Sequence, residues 1–333
     1  MAIVETNVAP SRSPETSGVT VSVRAFLRRL RSGDEIAHLV TLLFAASVVL
    51  ITVLLLYELS VNSGLPWHKF GLRFLLTRTW DPVFGNFGAL PFIYGTLVTS
   101  AIALLVAVPL GVGAAIFLAE LAPPLISNAL TFVIELLAAV PSVIFGLLGV
   151  FVLVPLVRNY IQPFLKASLG FLPFFQGPMY GVGFLTAGLV LAIMVLPFII
   201  SISREVLLAV PMEQREGALA LGSTRWEATW KVVVPYARIG ICGSIFLALA
   251  RALGETMAVT MVIGNDPKIS ASLFAPGYTI AAVIANEFTE ATGDLYLQSL
   301  IELGLVLFII TMILNGLARL MILVTTRKGT EHP

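Results

Sequence analysis

The chain has 333 residues, 58% of them hydrophobic and only 12% charged, with a formal net charge of +1. That charged fraction is about half of the roughly 25% usual in soluble domains, and the mean hydropathy of +0.96 argues against a protein that hides its apolar surface in water alone. Lipid must solvate much of its exterior, while the near-neutral balance argues against nucleic acid as a partner and the single cysteine, Cys242, cannot form an internal disulfide.

Residues 1–35, with Pro10, Pro14 and a run of Arg24, Arg28, Arg29 and Arg31, are read as a flexible cytoplasmic tail. A cleaved signal peptide does not fit. The first apolar run opens near Ile36, too far in, and is longer than the roughly 7–15 residues of an h-region. A hydrocarbon core of about 30 Å takes about 20 residues of helix to cross. Six stretches reach that length: Ile36–Tyr57, Ile93–Leu118, Ala129–Val157, Tyr180–Ser203, Ile239–Ile263 and Ser299–Val324. Pro109, Pro141, Pro155 and Pro197 lie inside these runs and predict kinks rather than breaks, because bundle neighbours take up the freed carbonyls. Ile269–Ala285, interrupted by Pro276 and Gly277, is expected as a surface or re-entrant segment and not a seventh span. The membrane domain then covers 36–325, with a second cytoplasmic tail at 326–333. No internal repeat is visible, which argues against the inverted-repeat secondary transporters.

With the N-terminus inside, thirteen basic residues fall on the cytoplasmic side, among them Arg204, Arg215, Arg225, Lys231, Arg238 and Arg319. Six fall outside: Lys69, Arg73, Arg78, Arg158, Lys166 and Lys268. That bias gives an N-in, C-in arrangement, as an even number of spans requires. Aromatic residues at 60–92 and 158–179, such as Trp67, Trp80, Phe164 and Phe171, are expected along the membrane interface.

The polar loop from Arg204 to Arg238 holds Glu216, Gly217 and Ala218, then after three intervening residues Gly222, and Val232 to Val234 before Pro235. A short helix is expected from Glu213 to Leu221, after Pro211 and with Gly222 at its C′ position. A second piece, Thr224 to Val232, is expected to end near Pro235. The small residues Gly217, Ala218 and Ala220 let another protein's surface come close, and Arg215, Glu216 and Arg225 offer charge-assisted hydrogen bonds at the rim. The bland alternative is an amphipathic connector lying on the membrane. The order and spacing resemble the EAA motif of binding-protein-dependent ABC importer permeases, with Gly217 in place of the middle alanine. That resemblance implies a type I importer permease fold and a coupling helix that docks in a groove of an ATPase subunit through Glu216, Gly217, Ala218, Gly222 and Pro235. The chain has no G-x-x-x-x-G-K-[ST] loop, so ATP and magnesium belong on that partner and no cofactor is expected on this chain.

Arg251 lies about 12 residues into the fifth run, hence about 18 Å along a helix rising ~1.5 Å per residue. An arginine there costs at least about 2.5–3.5 kcal/mol on insertion scales and should face protein or a water-filled cavity. Glu255, four residues on, shares its helix face and is expected to pair with it. The functional reading is an anion site: a guanidinium offers forked donors that match phosphate oxygens two at a time. Glu255 then neutralises Arg251 in the empty pathway and accepts from a substrate P–OH, which sulfate lacks. Thr256, Thr260 and Ser244 are neutral helpers, and Glu135 and Ser142 are further candidates for the pathway. The alternative is a structural ion pair between helices. His38, His68 and His332 are spaced for no metal site, and no catalytic grouping of nucleophile and base appears.

The stretch Arg251 to Asn265 is similar to the phosphate-specific transport permeases, of the PstC type rather than the PstA type. Leu90–Leu97, Glu135–Gly146 and Tyr278–Glu287 carry the same resemblance, which covers most of the chain from residue 36 onward. It implies a multi-pass protein of the cytoplasmic (inner) membrane that moves inorganic phosphate by alternating access. Its implied partners are a PstA-like permease, a PstB-like ATPase dimer and an extracytoplasmic PstS-like binding protein. Other readings are a permease for sulfate or molybdate, an ion-coupled transporter working alone, and an intramembrane enzyme using Glu135 or Glu255. The last lacks a metal set or nucleophile pair, and the transporter alone leaves the EAA-type loop without purpose.

Overall fold

Lipid offers backbone polar groups no hydrogen-bond partner, so a chain this apolar must satisfy them within helices. The computed structural model describes residues 34–327, and side chains for 37–320. Residues 1–33 of the expected N-terminal tail and 328–333 of the C-terminal tail lie outside the described residues. Regular structure among the described residues is helical, apart from isolated bridges at Asp81–Asn86 and Gly264–Gly277. The principal helices are α1 (Asp34–Asn62), α2 (Leu90–Leu121), α3 (Pro124–Ala138), α4 (Ser142–Leu169), α5 (Phe184–Leu208), α6 (Met212–Ala220), α7 (Arg225–Leu253), α8 (Ile280–Glu287) and α9 (Asp294–Arg327). Among the described residues, α1, α2, α4, α5, α7 and α9 are long and apolar enough to cross a membrane. Residues up to Glu58 form a unit of their own. Within it Leu39, Leu43, Val48, Val49 and Leu54 are all exposed, so α1 presents apolar surface around its whole circumference.

Two spans differ from the sequence expectation. The run expected at Ala129–Val157 is divided: α3 ends at Ala138, and the crossing helix α4 starts at Ser142. Pro141 causes this. A proline disfavours the α conformation in the residue before it and has no N–H to continue the ladder. Ala139 and Val140 close α3 with bonds to the Glu135, Leu136 and Leu137 carbonyls, and the helix restarts beyond the proline. Pro141 is thus a break, not a kink. The run expected at Ile239–Ile263 starts earlier, at Arg225, and stops at Leu253, where Gly254 caps it.

Elsewhere the prolines do not break the helices, and the backbone shows how. A helical proline clashes with the carbonyl four residues back. For Pro155, Pro163 and Pro235 that carbonyl belongs to Phe151, Asn159 and Lys231, each the centre of a single π turn. In those turns Val154, Gln162 and Val234 donate five residues back, to Gly149, Val157 and Thr229. The wider turn absorbs the ring and lets the helix continue.

Helix α5 is central, packed against α2 and α7. Between helices in lipid, association depends on close van der Waals packing, so small residues set the approach. A Cβ on Gly188 would lie 2.5 Å from Ile102 of α2, and one on Gly111 would lie 2.8 Å from Ile199 of α5. Ala103, Ala107, Ala187 and Val195 fill the same seam, fully buried.

The segment between α7 and α9 folds back onto this core. The first N–H groups of a helix have no partner inside it. For α5 they find one here: Gly183, Phe184 and Leu185 donate to the carbonyls of Val262, Ala275 and Leu273 at 3.0, 3.2 and 2.9 Å. Tyr94 of α2 donates to the Ser270 carbonyl (2.8 Å), and Thr96 Oγ1 accepts from Ile280 N–H (3.0 Å) at the start of α8. Phe274 and Ile280–Val283 are buried, so this stretch packs into the protein and does not lie on its surface. Gly95 of α2 sits so close that a Cβ there would lie 2.0 Å from the Tyr278 carbonyl oxygen, a backbone atom that cannot rotate away. Gly95→Ala is therefore expected to destabilise the protein by about 1–3 kcal/mol through overpacking. Gly113→Ala, which meets nothing within 4 Å, should leave the thermal midpoint of the detergent-purified protein unchanged, and comparing the two midpoints checks this.

Candidate functional site

The motif loop is short and structured. Pro211 pre-sets the backbone ahead of α6, and Gln214 donates to its carbonyl. At the other end Gly222 and Ser223 donate to the Leu219 and Ala218 carbonyls, with Gly222 in the left-handed conformation at φ 87°. That is the C-terminal cap expected of a glycine there. Glu216, Gly217, Leu219, Ala220 and Gly222 are exposed, and α6 buries none of its residues.

Thr224 then caps α7: its Oγ1 accepts from Glu227 N–H, and the Glu227 carboxylate accepts from Thr224 N–H at 3.0 Å. The piece expected to end near Pro235 does not end there. Its π turn at Thr229–Val233 carries the helix past the proline to Leu253. One helix therefore runs from the motif loop to Arg251.

Arg215 turns inward instead of standing at the rim. Its Nη2 donates to Glu120 Oε1 at 2.8 Å and to the Leu207 carbonyl at 2.7 Å, its Nη1 to the Val210 carbonyl, and its Nε to the same carboxylate. Beside this pair lies a cavity of about 420 Å³ lined by Glu120, Met212, Glu216, Arg225 and Thr229, among others. Sequence reading missed the pair because its members lie 95 residues apart. The one available signal was a glutamate and an arginine each next to the end of an apolar run.

At the far end of α7 the expected ion pair is absent. A spacing of four aligns two side chains only while the helix continues, and Gly254 stops it between them. The Arg251 guanidinium carbon instead lies 4.0 Å from the ring centroid of Phe198 on α5, and its Nε is buried with no hydrogen-bond partner. Glu255 turns to the next short helix, where its Oε1 accepts from Ala258 N–H at 3.2 Å. Thr256 Oγ1 donates to the Gly254 carbonyl (3.3 Å) and Thr260 Oγ1 to the Thr256 carbonyl (2.8 Å). Ser244 is committed elsewhere, 2.7 Å from Ser203 Oγ.

Helix Met257–Thr260 packs on the first turns of α4. A Cβ on Gly146 would meet Met261 Sδ at 2.5 Å and Ala258 Cα at 3.2 Å, and one on Gly149 would meet Val262 at 2.7 Å. The start of α4 thus lies against the segment that follows the break at Gly254. Glu135 is exposed in the last turn of α3, before the first break. Interrupted helices expose backbone that is tolerated at membrane depth only against protein or a cavity. A guanidinium stacked on a ring, with an unmet donor in the last turn before such a break, is equipped to hold an oxyanion. Among the described residues no group of three or more His, Cys, Asp or Glu side chains is placed to hold a metal ion.

A family model, the binding-protein-dependent transport system inner membrane component, matches residues 107–325. The phosphate transport system permease protein PstC of Mesorhizobium japonicum is 50% identical over 313 residues, 92% of this chain and 95% of that protein. PstC of Xylella fastidiosa is 53% identical over 262 residues, 78% and 81% of the two chains. PstC of Haemophilus influenzae is 50% identical over 286 residues, 85% and 90%. A chain of a bacterial ABC transporter involved in the import of the acidic polysaccharide alginate matches with a TM-score of 0.57 at 16% identity, over 89% of this chain and 98% of that one. A chain of the inward-facing MetNI methionine ABC transporter matches with a TM-score of 0.51 at 15% identity, over 74% and 99%. At such identities these structures speak for the fold alone.

The cap at Gly222 has a direct test. A Cβ there meets no atom within 4 Å, so Gly222→Ala adds only the cost of a left-handed alanine, about 1–2 kcal/mol. Amide exchange at Leu221–Ser223 is expected to speed up by about tenfold, with the rates in α5 unchanged.

Proposed function

Since the chain belongs to the binding-protein-dependent transport system inner membrane component family and shares half its residues with PstC proteins, we propose that it is the PstC-type permease of an ATP-driven importer for inorganic phosphate. It is a multi-pass membrane protein with the fold of type I ABC importer permeases. One observation carries the mechanism: α7 joins the motif loop to Arg251 without interruption. Over that length a helix spans about 39 Å at ~1.5 Å per residue, enough to bring a cytoplasmic movement to a group deep in the pathway.

In this reading the N- and C-termini face the cytoplasm and α6 docks, through Glu216, Gly217 and Ala218, in a groove of a PstB-like ATPase dimer. That dimer holds ATP and magnesium, and this chain has no catalytic site of its own. A PstA-like permease completes the pathway, and a PstS-like protein delivers phosphate from outside. ATP binding closes the ATPases, α6 moves with them, and α7 carries the change to the level of Arg251. There the guanidinium receives phosphate oxygens, the hydroxyls of Ser142 and Thr256 line the path, and hydrolysis resets the inward-facing state. Glu255 uses Oε1 to accept from Ala258 N–H, and the choice of phosphate is supported by the PstC relatives.

Labelled phosphate uptake into proteoliposomes tests this, with the partner permease and ATPase present, binding protein outside and ATP inside. Native uptake should resist competition by sulfate. Arg251→Gln should reduce it by about 10²-fold or more, as loss of a charge-assisted anion contact in a dry site does, while the complex still assembles. Glu216→Lys should shed or uncouple the ATPase. Normal uptake by Arg251→Gln would make the stacked arginine structural.

A further inference from the structure

We propose that Arg215 is the positioning residue that ties the ATPase-facing helix to the membrane core, acting through Glu120. This rests on the permease reading above and adds to it the contact through which the movement passes.

Helix α6 has no buried residue, and its Met212, Leu219 and Glu216 are exposed. It touches the start of α7, and Arg215 adds a hold on three further elements at once. Glu120 belongs to the π turn that ends α2, the Leu207 carbonyl to the last turn of α5, and the Val210 carbonyl to the link into α6. The last carbonyls of a helix lack partners within it, and a cation there also meets the negative end of the helix dipole. The side chains of Arg215 and Glu120 are only 16% and 10% exposed, so water screens the pair far less than a surface salt bridge. Adjacent residues thus divide the work: Glu216 faces outward, and Arg215 faces the ends of α2 and α5. Helix α5 also carries Phe198, on which Arg251 stacks. A pull on α6 reaches Arg251 by two routes, along α7 directly and through Arg215 and α5. An arginine fork is required, because lysine has the charge but cannot span a carboxylate and two carbonyls together.

The test uses the assembled complex in proteoliposomes with binding protein, comparing native protein with Arg215→Gln, Arg215→Lys, Glu120→Gln and the double variant Glu120→Gln/Arg215→Gln. Three quantities are read: ATPase subunits retained, ATP hydrolysed, and phosphate imported per ATP. Arg215→Gln and Glu120→Gln are expected to keep the ATPases bound and hydrolysing while import per ATP falls about fivefold or more, the scale of a lost coupling contact. Arg215→Lys should recover part of it, and the double variant should be no worse than Arg215→Gln. Unchanged import per ATP in both single variants would overturn the proposal. Loss of the ATPases from the complex would also overturn it, since Arg215 would then serve docking. A second arm needs no phosphate: spin labels at Leu121→Cys and Gln214→Cys, in a Cys242→Ala background, report the distance between α2 and α6. ATP binding should leave that distance fixed in the native complex and change it in Arg215→Gln. A distance that changes equally in both would overturn the proposal. A native complex that imports no phosphate would end the permease reading, while the label distances still decide the contact.

Discussion

Hydrogen bonding of the backbone away from water governs this structure more than any side-chain contact does. Every N–H and C=O that a proline or a loop frees must find a partner inside the protein. At Pro155, Pro163 and Pro235 the solution is local, a single wider turn that keeps the helix going. At Pro141 and Gly254 no local solution is used and the helix stops. The same rule explains why the segment between α7 and α9 is so firmly placed. Its carbonyls at Val262, Leu273 and Ala275 are the partners of the first N–H groups of α5.

The continuations and the stops divide the work. Where helices continue, they join distant parts: the π turn before Pro235 makes the motif loop and the Arg251 end of α7 parts of one rod. Where they stop, backbone groups and side chains turn to other partners. Gly146 and Gly149 let α4 lie directly on the Met257–Val262 segment that follows the second break. Arg251 stands in the last turn before its break, held against Phe198 rather than neutralised by Glu255. An unneutralised guanidinium has its full charge available to an anion, at the cost of desolvation that a ring face only partly offsets.

Much of this was legible without coordinates. The apolar runs around α1, α2, α5 and α9 and the helix Met212–Ala220 with its glycine cap follow from hydropathy, length and turn chemistry. The third and fifth spans were misplaced for opposite reasons. Hydropathy is continuous across Pro141 although the helix is not. It is interrupted by the polar residues of 225–238 although the helix runs through them. Arg251 was found by its rarity in an apolar run, but its partner was misassigned, because spacing of four says nothing once a glycine ends the helix between the two residues.

By itself, then, the sequence determined that the chain lives in lipid, that it crosses about six times, that its motif loop holds a short glycine-capped helix, and that one arginine lies within an apolar run. These follow from composition, local periodicity and near-neighbour spacing, which are properties of the chain read along its length. Only the tertiary structure decided which helices stop at a proline and which continue, and that Arg251 stacks on Phe198. It alone joined Arg215 to Glu120 across 95 residues. The reason is physical: a backbone group or a charge freed from its neighbours is satisfied by whatever lies beside it in space, and one-dimensional order does not record that.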